Sequence, residues 1–196
     1  SSCPPADKLL SELAKREDVI PLALHVDYWD YLGWRDSFAN PAHTERQRNY
    51  ARAAQHPTIY TPQMIIQGRD HVVGYRPGEV AALIEANKRE PDPVILKLSR
   101  SGETLVIRMR PREQAVGNAV VQLVRYKAGE KVMIRRGENA GKTIDYSNIV
   151  TFWKPVARWS GEGEWVGQVP VPGPQAAVVI VQAARFGPIL AAAQVR

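Results

Sequence analysis

The only cysteine of the 196-residue chain is its third residue, standing directly before an amphipathic helical pattern. Ala6, Leu9, Leu10, Leu13 and Ala14 recur at helical spacing and predict a helix that begins close to Cys3. Pro4 and Pro5 fall in its first turn, where backbone N–H groups have no intrahelical acceptor and proline removes nothing of value. Cys3 is thus expected at a helix N-terminus. The positive end of the helix dipole there stabilises a thiolate and lowers the thiol pKa, which marks a candidate reactive sulfur. The competing reading is a small buried residue that packs a helix end.

A second stretch adds to the first reading. Tyr60-Thr61-Pro62-Gln63-Met64-Ile65-Ile66-Gln67-Gly68 reads as a proline, a short apolar strand and a glycine turn. With a helix-N-terminal cysteine about sixty residues upstream, it resembles the thioredoxin fold. In that fold a Thr-Pro pair with a cis proline faces the active-site cysteine and helps hold a substrate strand. The resemblance therefore assigns that role to Thr61 and Pro62. It extends to Ser1-Ser2-Cys3-Pro4-Pro5-Ala6-Asp7, to His25-Val26-Asp27-Tyr28-Trp29-Asp30-Tyr31-Leu32-Gly33-Trp34-Arg35-Asp36, and to Arg136-Gly137-Glu138-Asn139-Ala140-Gly141-Lys142-Thr143. On these motifs the chain is similar to a bacterial family of exported proteins catalogued as domain of unknown function 1223. The resemblance implies a periplasmic or secreted location and a thioredoxin-like first half.

In that family the motif usually reads Cys-Ser-Ser-Cys after a β-strand, whereas the sequence here begins at the first Ser. The expectation is a fragment of a longer chain, with the first strand and the attacking cysteine ahead of Ser1 and Cys3 as the resolving sulfur. Were Ser1 the true start, the protein would be a monothiol, and disulfide exchange within one site could not occur.

The length suits one large or two small domains, and 44% hydrophobic with 23% charged residues is ordinary for a globular protein. No apolar run is long enough to span a membrane as a helix. Residues 1–90 carry 11 Lys and Arg against 12 Asp and Glu, and residues 91–196 carry 15 against 8. The excess in the second half is scattered singly at Lys97, Arg108, Arg110, Arg125 and Lys127, which reads as solvated strand faces. The Arg135-Arg136 pair is too short for a nucleic-acid patch, so no nucleic-acid partner is expected.

Past the first helix, Val19–Asp27 is an apolar run that predicts a buried strand. Tyr28–Asn40 reads as a loop, and the next helical pattern, Pro41–Ala54, places Thr44 through Tyr50 mostly at the surface. A strand at Met64–Gln67, a turn at Gly68-Arg69-Asp70, a strand at His71–Val73 and a helix opened by Pro77 complete an α/β thioredoxin-like domain over residues 1–90, apparently without its first strand. Glu90-Pro91-Asp92-Pro93 breaks the pattern as a linker. Beyond it the hydrophobic period becomes two, with a hairpin across Ser101-Gly102 and strands at 119–127, 131–135, 149–159, 164–171, 177–184 and 189–195. This predicts an all-β sandwich-like domain over residues 93–196, without an inter-sheet disulfide because that half holds no cysteine.

Three groups of side chains are candidate sites. Cys3, Thr61 and Pro62 form the redox constellation that the resemblance implies. His25, Asp27, Trp29 and Asp30 are either substrate-facing or structural, pinning an aromatic loop through buried hydrogen bonds. Cys3 with His25 would also make a soft-plus-imidazole pair for copper, although no resident metal or cofactor is expected. His43, His56 and His71 lack ligand spacing and read as structural. Gly137–Gly141 is glycine-rich, lacks GxxxxGK[ST] spacing and reads as a hairpin turn. Two functions remain open: a thiol–disulfide oxidoreductase acting on protein thiols and disulfides, or a non-catalytic binding protein of the cell envelope.

Overall fold

Helix α1 (Cys3–Leu13) forms where the apolar spacing and the two prolines place it, and it buries Ala6 and Leu13. The structure, a computed structural model, describes residues 2–196; Ser1, the first residue of the cysteine motif, lies outside them. After α1 the chain runs extended to a 3₁₀ turn at Asp30–Leu32, which Gly33 ends with a φ of 94°. Helix α2 (Pro41–Ala53) starts at Asn40, whose side chain accepts a 2.9 Å hydrogen bond from the Ala42 N–H, with Pro41 in the first turn. Strands β1 (Gln63–Ile66) and β2 (Asp70–Val73) pair as a hairpin, and helix α3 (Pro77–Lys88) follows with Val80 and Ile84 buried.

The remainder is antiparallel sheet. Strands β3 (Val94–Ser101), β4 (Thr104–Pro111) and β7 (Trp165–Pro170) form one sheet in the order β3-β4-β7. Strands β5 (Ala119–Met133), β6 (Thr143–Trp159), β8 (Ala176–Ala183) and β9 (Ile189–Val195) form a second in the order β6-β5-β8-β9. The period-two pattern sets the register: Leu96 faces Met109 and Leu98 faces Ile107. Leu105, Ile107 and Met109 from the first sheet join Val121, Leu123, Val179 and Val181 from the second in one buried core. Each such side chain contributes about 1.5–3 kcal/mol by leaving water.

The chain gathers into two compact units that a single cut between residues 90 and 93 does not reproduce. One holds the chain up to Met64 with His71–Ala81 and Lys127–Thr151; the other holds Ile65–Asp70, Ala82–Tyr126 and Phe152–Arg196. The cause is the length of β5 and β6, at 15 and 17 residues. The far end of this hairpin carries Lys127–Thr151 into the first unit. No helix among the described residues is long and apolar enough to cross a membrane.

Three expectations are corrected. Val19–Asp27 is half-buried and extended but not a strand of a sheet: its one ladder contact is a parallel bridge from Ala23 to Ile149. A strand exists only where a neighbour meets its backbone groups. Here Ala23 donates to the Asn148 carbonyl and accepts from Val150, each at 2.9 Å, while Pro21 has no N–H to offer. On α2, Thr44 and Tyr50 are buried rather than exposed. Arg125 is buried too, its guanidinium donating to the carbonyls of Pro172, Gln175 and Ala176 at 3.0, 2.7 and 3.2 Å. The Gly137–Gly141 segment is the β5–β6 turn, with φ of 81° at Gly137 and 83° at Gly141.

Candidate functional site

Cys3 is the first residue of α1 and a half-buried free thiol. Its side chain is hydrogen-bonded to Thr61, and the Thr61-Pro62 bond is cis. Trp29 Nε1–H donates to Thr61 Oγ1 at 2.9 Å, which leaves the threonine its own proton to give to the sulfur. Gln47 on α2 holds both flanks of this segment: its amide donates to the Tyr60 carbonyl at 2.7 Å and to Gln63 Oε1 at 2.9 Å. Its oxygen accepts from the Tyr28 hydroxyl at 3.0 Å. Gly74 lets the pieces close up. It donates to the Pro62 carbonyl at 3.0 Å, and a Cβ on it would lie 3.2 Å from both Ala6 and Pro62.

The loop candidates divide by role. Asp27 accepts a 2.5 Å hydrogen bond from the Thr44 hydroxyl, while its own N–H donates to the same oxygen at 3.2 Å. Asp30 accepts from the Asp36 N–H at 3.2 Å. Both carboxylates pin the loop to its surroundings. Trp29 lies half at the surface, 43% exposed, with Tyr31 at 77% and Leu32 at 44% beside it in sequence. His25 points elsewhere: its Nδ1–H donates to Asp36 Oδ2 at 2.5 Å, and its ring meets Tyr146 and Phe38 edge-on at centroid distances of 4.7 and 5.5 Å. Its carbonyl accepts from His43 Nδ1–H at 2.9 Å and from the Asn40 N–H at 3.1 Å.

Electrostatics reverses one expectation. The Cys3 thiol is pushed up, not down. Burial is the largest cause, and the nearby charges of Asp7 and Glu138 add to it against the lowering by the Thr61 hydrogen bond. A sulfur half removed from water loses more hydration as a thiolate than one helix terminus returns. Asp7, one helical turn along α1, is itself raised from 3.8 to about 6 by burial, with the His25 charge lowering it and the Asp36 charge raising it again. Burial would lift Asp36 as well, but the hydrogen bond and charge of His25 and the Phe38 N–H hold it below its ordinary value. Burial pushes the Tyr146 phenol up strongly, and the charges of Asp7, Asp36 and Cys3 act in the same direction.

The structure therefore brings Cys3, Thr61, Pro62 and Trp29 together and sets a half-buried Asp7–His25–Asp36–Tyr146 group beside them. Sequence reasoning omitted Asp7, Asp36, Tyr146 and Gln47. Asp7 was within reach of it, since residues four apart share a helix face; Tyr146 arrives from the far end of β6 with no local signal. Among the described residues no group of three or more His, Cys, Asp or Glu side chains is placed to hold a metal ion.

Residues 1–182 match the family described as protein of unknown function (DUF1223). No curated protein matches the chain. A crystal structure of a protein from Agrobacterium tumefaciens, solved in a structural genomics programme, is similar at 31% identity and a TM-score of 0.84. The alignment covers 100% of this chain and 88% of that one. With the family's pattern running through all but its last strand, the chain belongs to the DUF1223 family.

Proposed function

We propose that this protein exchanges thiols and disulfides in the bacterial periplasm, on a thioredoxin-like first half in which Cys3 is the resolving sulfur. The observation that carries this reading is the hydrogen bond between Cys3 and Thr61, which sets the sulfur beside Pro62. In the exchange step the Cys3 thiolate attacks one sulfur of a disulfide and forms a new S–S bond. The electron pair of the broken bond leaves on the other sulfur as thiolate, so one disulfide is consumed for each one made. The partner sulfur belongs to a protein substrate or, on the family's Cys-Ser-Ser-Cys pattern, to a cysteine ahead of Ser1. A half-buried thiol with a raised pKa fits the resolving role, because it stays protonated until a sulfur is presented to it. The test incubates the protein with a peptide disulfide and identifies the product by mass spectrometry. A disulfide at Cys3, to the peptide or to a second cysteine of the protein, that dithiothreitol removes and Cys3→Ser lacks supports the reading. An unmodified Cys3 under conditions that label an ordinary thiol refutes it.

A second reading, a binding protein of the cell envelope, draws on the exposed Trp29, Tyr31 and Leu32. It predicts that Cys3→Ser leaves partner binding intact while Trp29→Ala weakens it.

A further inference from the structure

Resting on the exchange reading and naming its substrate class, we infer that the tip of the β5–β6 hairpin and the Trp29–Leu32 turn form one recognition rim beside Cys3, which selects disulfide-bearing protein segments that combine acidic with apolar residues. The two motifs concerned, residues 25–36 and 136–143, lie far apart in the sequence and meet in the fold. Gly137 makes the meeting possible. A Cβ on it would lie 3.2 Å from the Trp34 Cβ and 3.5 Å from the Leu32 carbonyl oxygen, so a residue without a side chain lets the tip rest on the loop. The base of the same hairpin end is fastened to the same unit. Ser147 and Ser11 share a hydrogen bond of 2.8 Å, the Asn148 side-chain amide donates to the Pro21 carbonyl at 2.8 Å, and the Tyr146 ring meets His25 edge-on. The tip therefore has a fixed place against the aromatic loop.

From the sulfur outward the contacts are continuous. Cys3 is bonded to Thr61, Thr61 to Trp29, and Trp29 opens the turn that carries Tyr31 and Leu32. Trp29, Tyr31 and Leu32 all remain exposed. The charges around them are unequal in sign. Arg35 adjoins Trp34, and Arg135 and Arg136 precede Gly137; all three are exposed, and among the described residues none of their side chains makes a hydrogen bond or ion pair. Lys142, bonded to Asn139 across the tip, adds a fourth cation. Within the two motifs the one exposed carboxylate is Glu138, while Asp30 and Asp36 are held in the loop's own hydrogen bonds. Free guanidinium groups beside exposed aromatic and aliphatic side chains fit a segment with both kinds of residue. Arginine grips a carboxylate with two parallel hydrogen bonds, and the apolar turn takes a neighbouring apolar side chain out of water. A basic segment would meet like charge instead.

The test separates recognition from exchange. Two fluorescein-labelled peptides with a Leu-Ser-Leu centre, one flanked by glutamates and one by lysines, are titrated with the full-length protein and followed by fluorescence polarisation. The acidic peptide should bind on the order of tenfold more tightly at low ionic strength, as three exposed charge pairs allow. That preference should vanish at about 1 M salt, where the screening length is only ~3 Å. Arg135→Glu combined with Arg136→Glu should invert it towards the lysine peptide, and Tyr31→Ala should weaken both peptides severalfold. Equal affinity of the wild type for the two peptides overturns the inference, as does a preference that the doubly reversed protein keeps or an affinity that Tyr31→Ala leaves unchanged. If the reversed protein cannot be produced, a preference that persists undiminished at high salt overturns it. Uptake of the wild type onto phosphatidylglycerol vesicles that the acidic peptide does not displace also overturns it, by assigning the arginines to a membrane surface. Failure of the exchange reading shows separately: the acidic peptide binds with the expected preference, yet its cysteine-containing disulfide form leaves no disulfide at Cys3.

Discussion

Replacing Asp7 by asparagine should stabilise the protein at neutral pH and do nothing for it in acid. In the native state the Asp7 carboxyl titrates at about 6, raised from 3.8 by burial first and by the Asp36 charge, against the opposing charge of His25. In the unfolded chain it titrates near ~3.9. Between those values the native state binds more protons than the unfolded state. The contribution of this group to stability is therefore complete below about pH 4 and lost as pH rises through about 6. At ~1.4 kcal/mol per pH unit, the ionised carboxylate costs the fold roughly 3 kcal/mol at about pH 7.5. Asparagine keeps the shape and the polarity without the charge, so Asp7→Asn should exceed the wild type by about 2–3 kcal/mol at that pH, with the difference closing towards zero near pH 4. Urea unfolding followed by tryptophan fluorescence across this range reads the difference directly, provided the denaturant slope is unchanged. A gap that stays constant with pH, or a variant less stable at neutral pH, would show that Asp7 is an ionised carboxylate with a committed partner.

Three other outcomes follow from the packing and the charges. Asp36→Asn removes a carboxylate held low by His25; that stability is present above the unfolded carboxyl's pKa and is lost as pH falls through the native one. The variant should cost about 1–3 kcal/mol at neutral pH and little once acid has protonated the native carboxyl, by the same unfolding assay. Gly74→Ala pushes a methyl group against Ala6 and Pro62, so it should cost about 1–3 kcal/mol and speed Cys3 alkylation as the site loosens. Ile107→Ala opens a cavity between the two sheets and should cost about 2–5 kcal/mol by thermal or urea unfolding.

What the sequence revealed depended on whether the deciding interaction was local. The start of α1 was legible because apolar spacing and proline position are properties of that segment alone. The β3–β4 hairpin was legible for the same reason: Leu96, Leu98, Ile107 and Met109 alternate with polar residues across a glycine turn. Val19–Asp27 was not, because an apolar run states a preference for burial while a strand requires a partner's backbone, and only Ala23 finds one in Ile149. The length of β5 was hidden by Ala128-Gly129, which reads as a break although the strand runs on to Met133. At the site, Cys3 meets Thr61 beside the cis Pro62, and the thiol's shift runs upward, opposite to what the helix N-terminus alone implies. A helix N-terminus is visible in sequence; the burial that outweighs it depends on how the rest of the chain packs around the sulfur. Asp27 and Asp30 proved to be loop pins because their partners, Thr44 and the Asp36 N–H, depend on how the loop closes.

The most direct test of Cys3 as an exchanging sulfur is a thiol count on the full-length mature protein. Free thiols are alkylated before and after reduction, and the labelled sites are identified by mass spectrometry across a series of glutathione redox buffers. Cys3 is expected to pass reversibly between thiol and disulfide, with a midpoint within the range such buffers span. A Cys3 that remains a free thiol throughout, or sits in a bond that no buffer of the series opens, would contradict it.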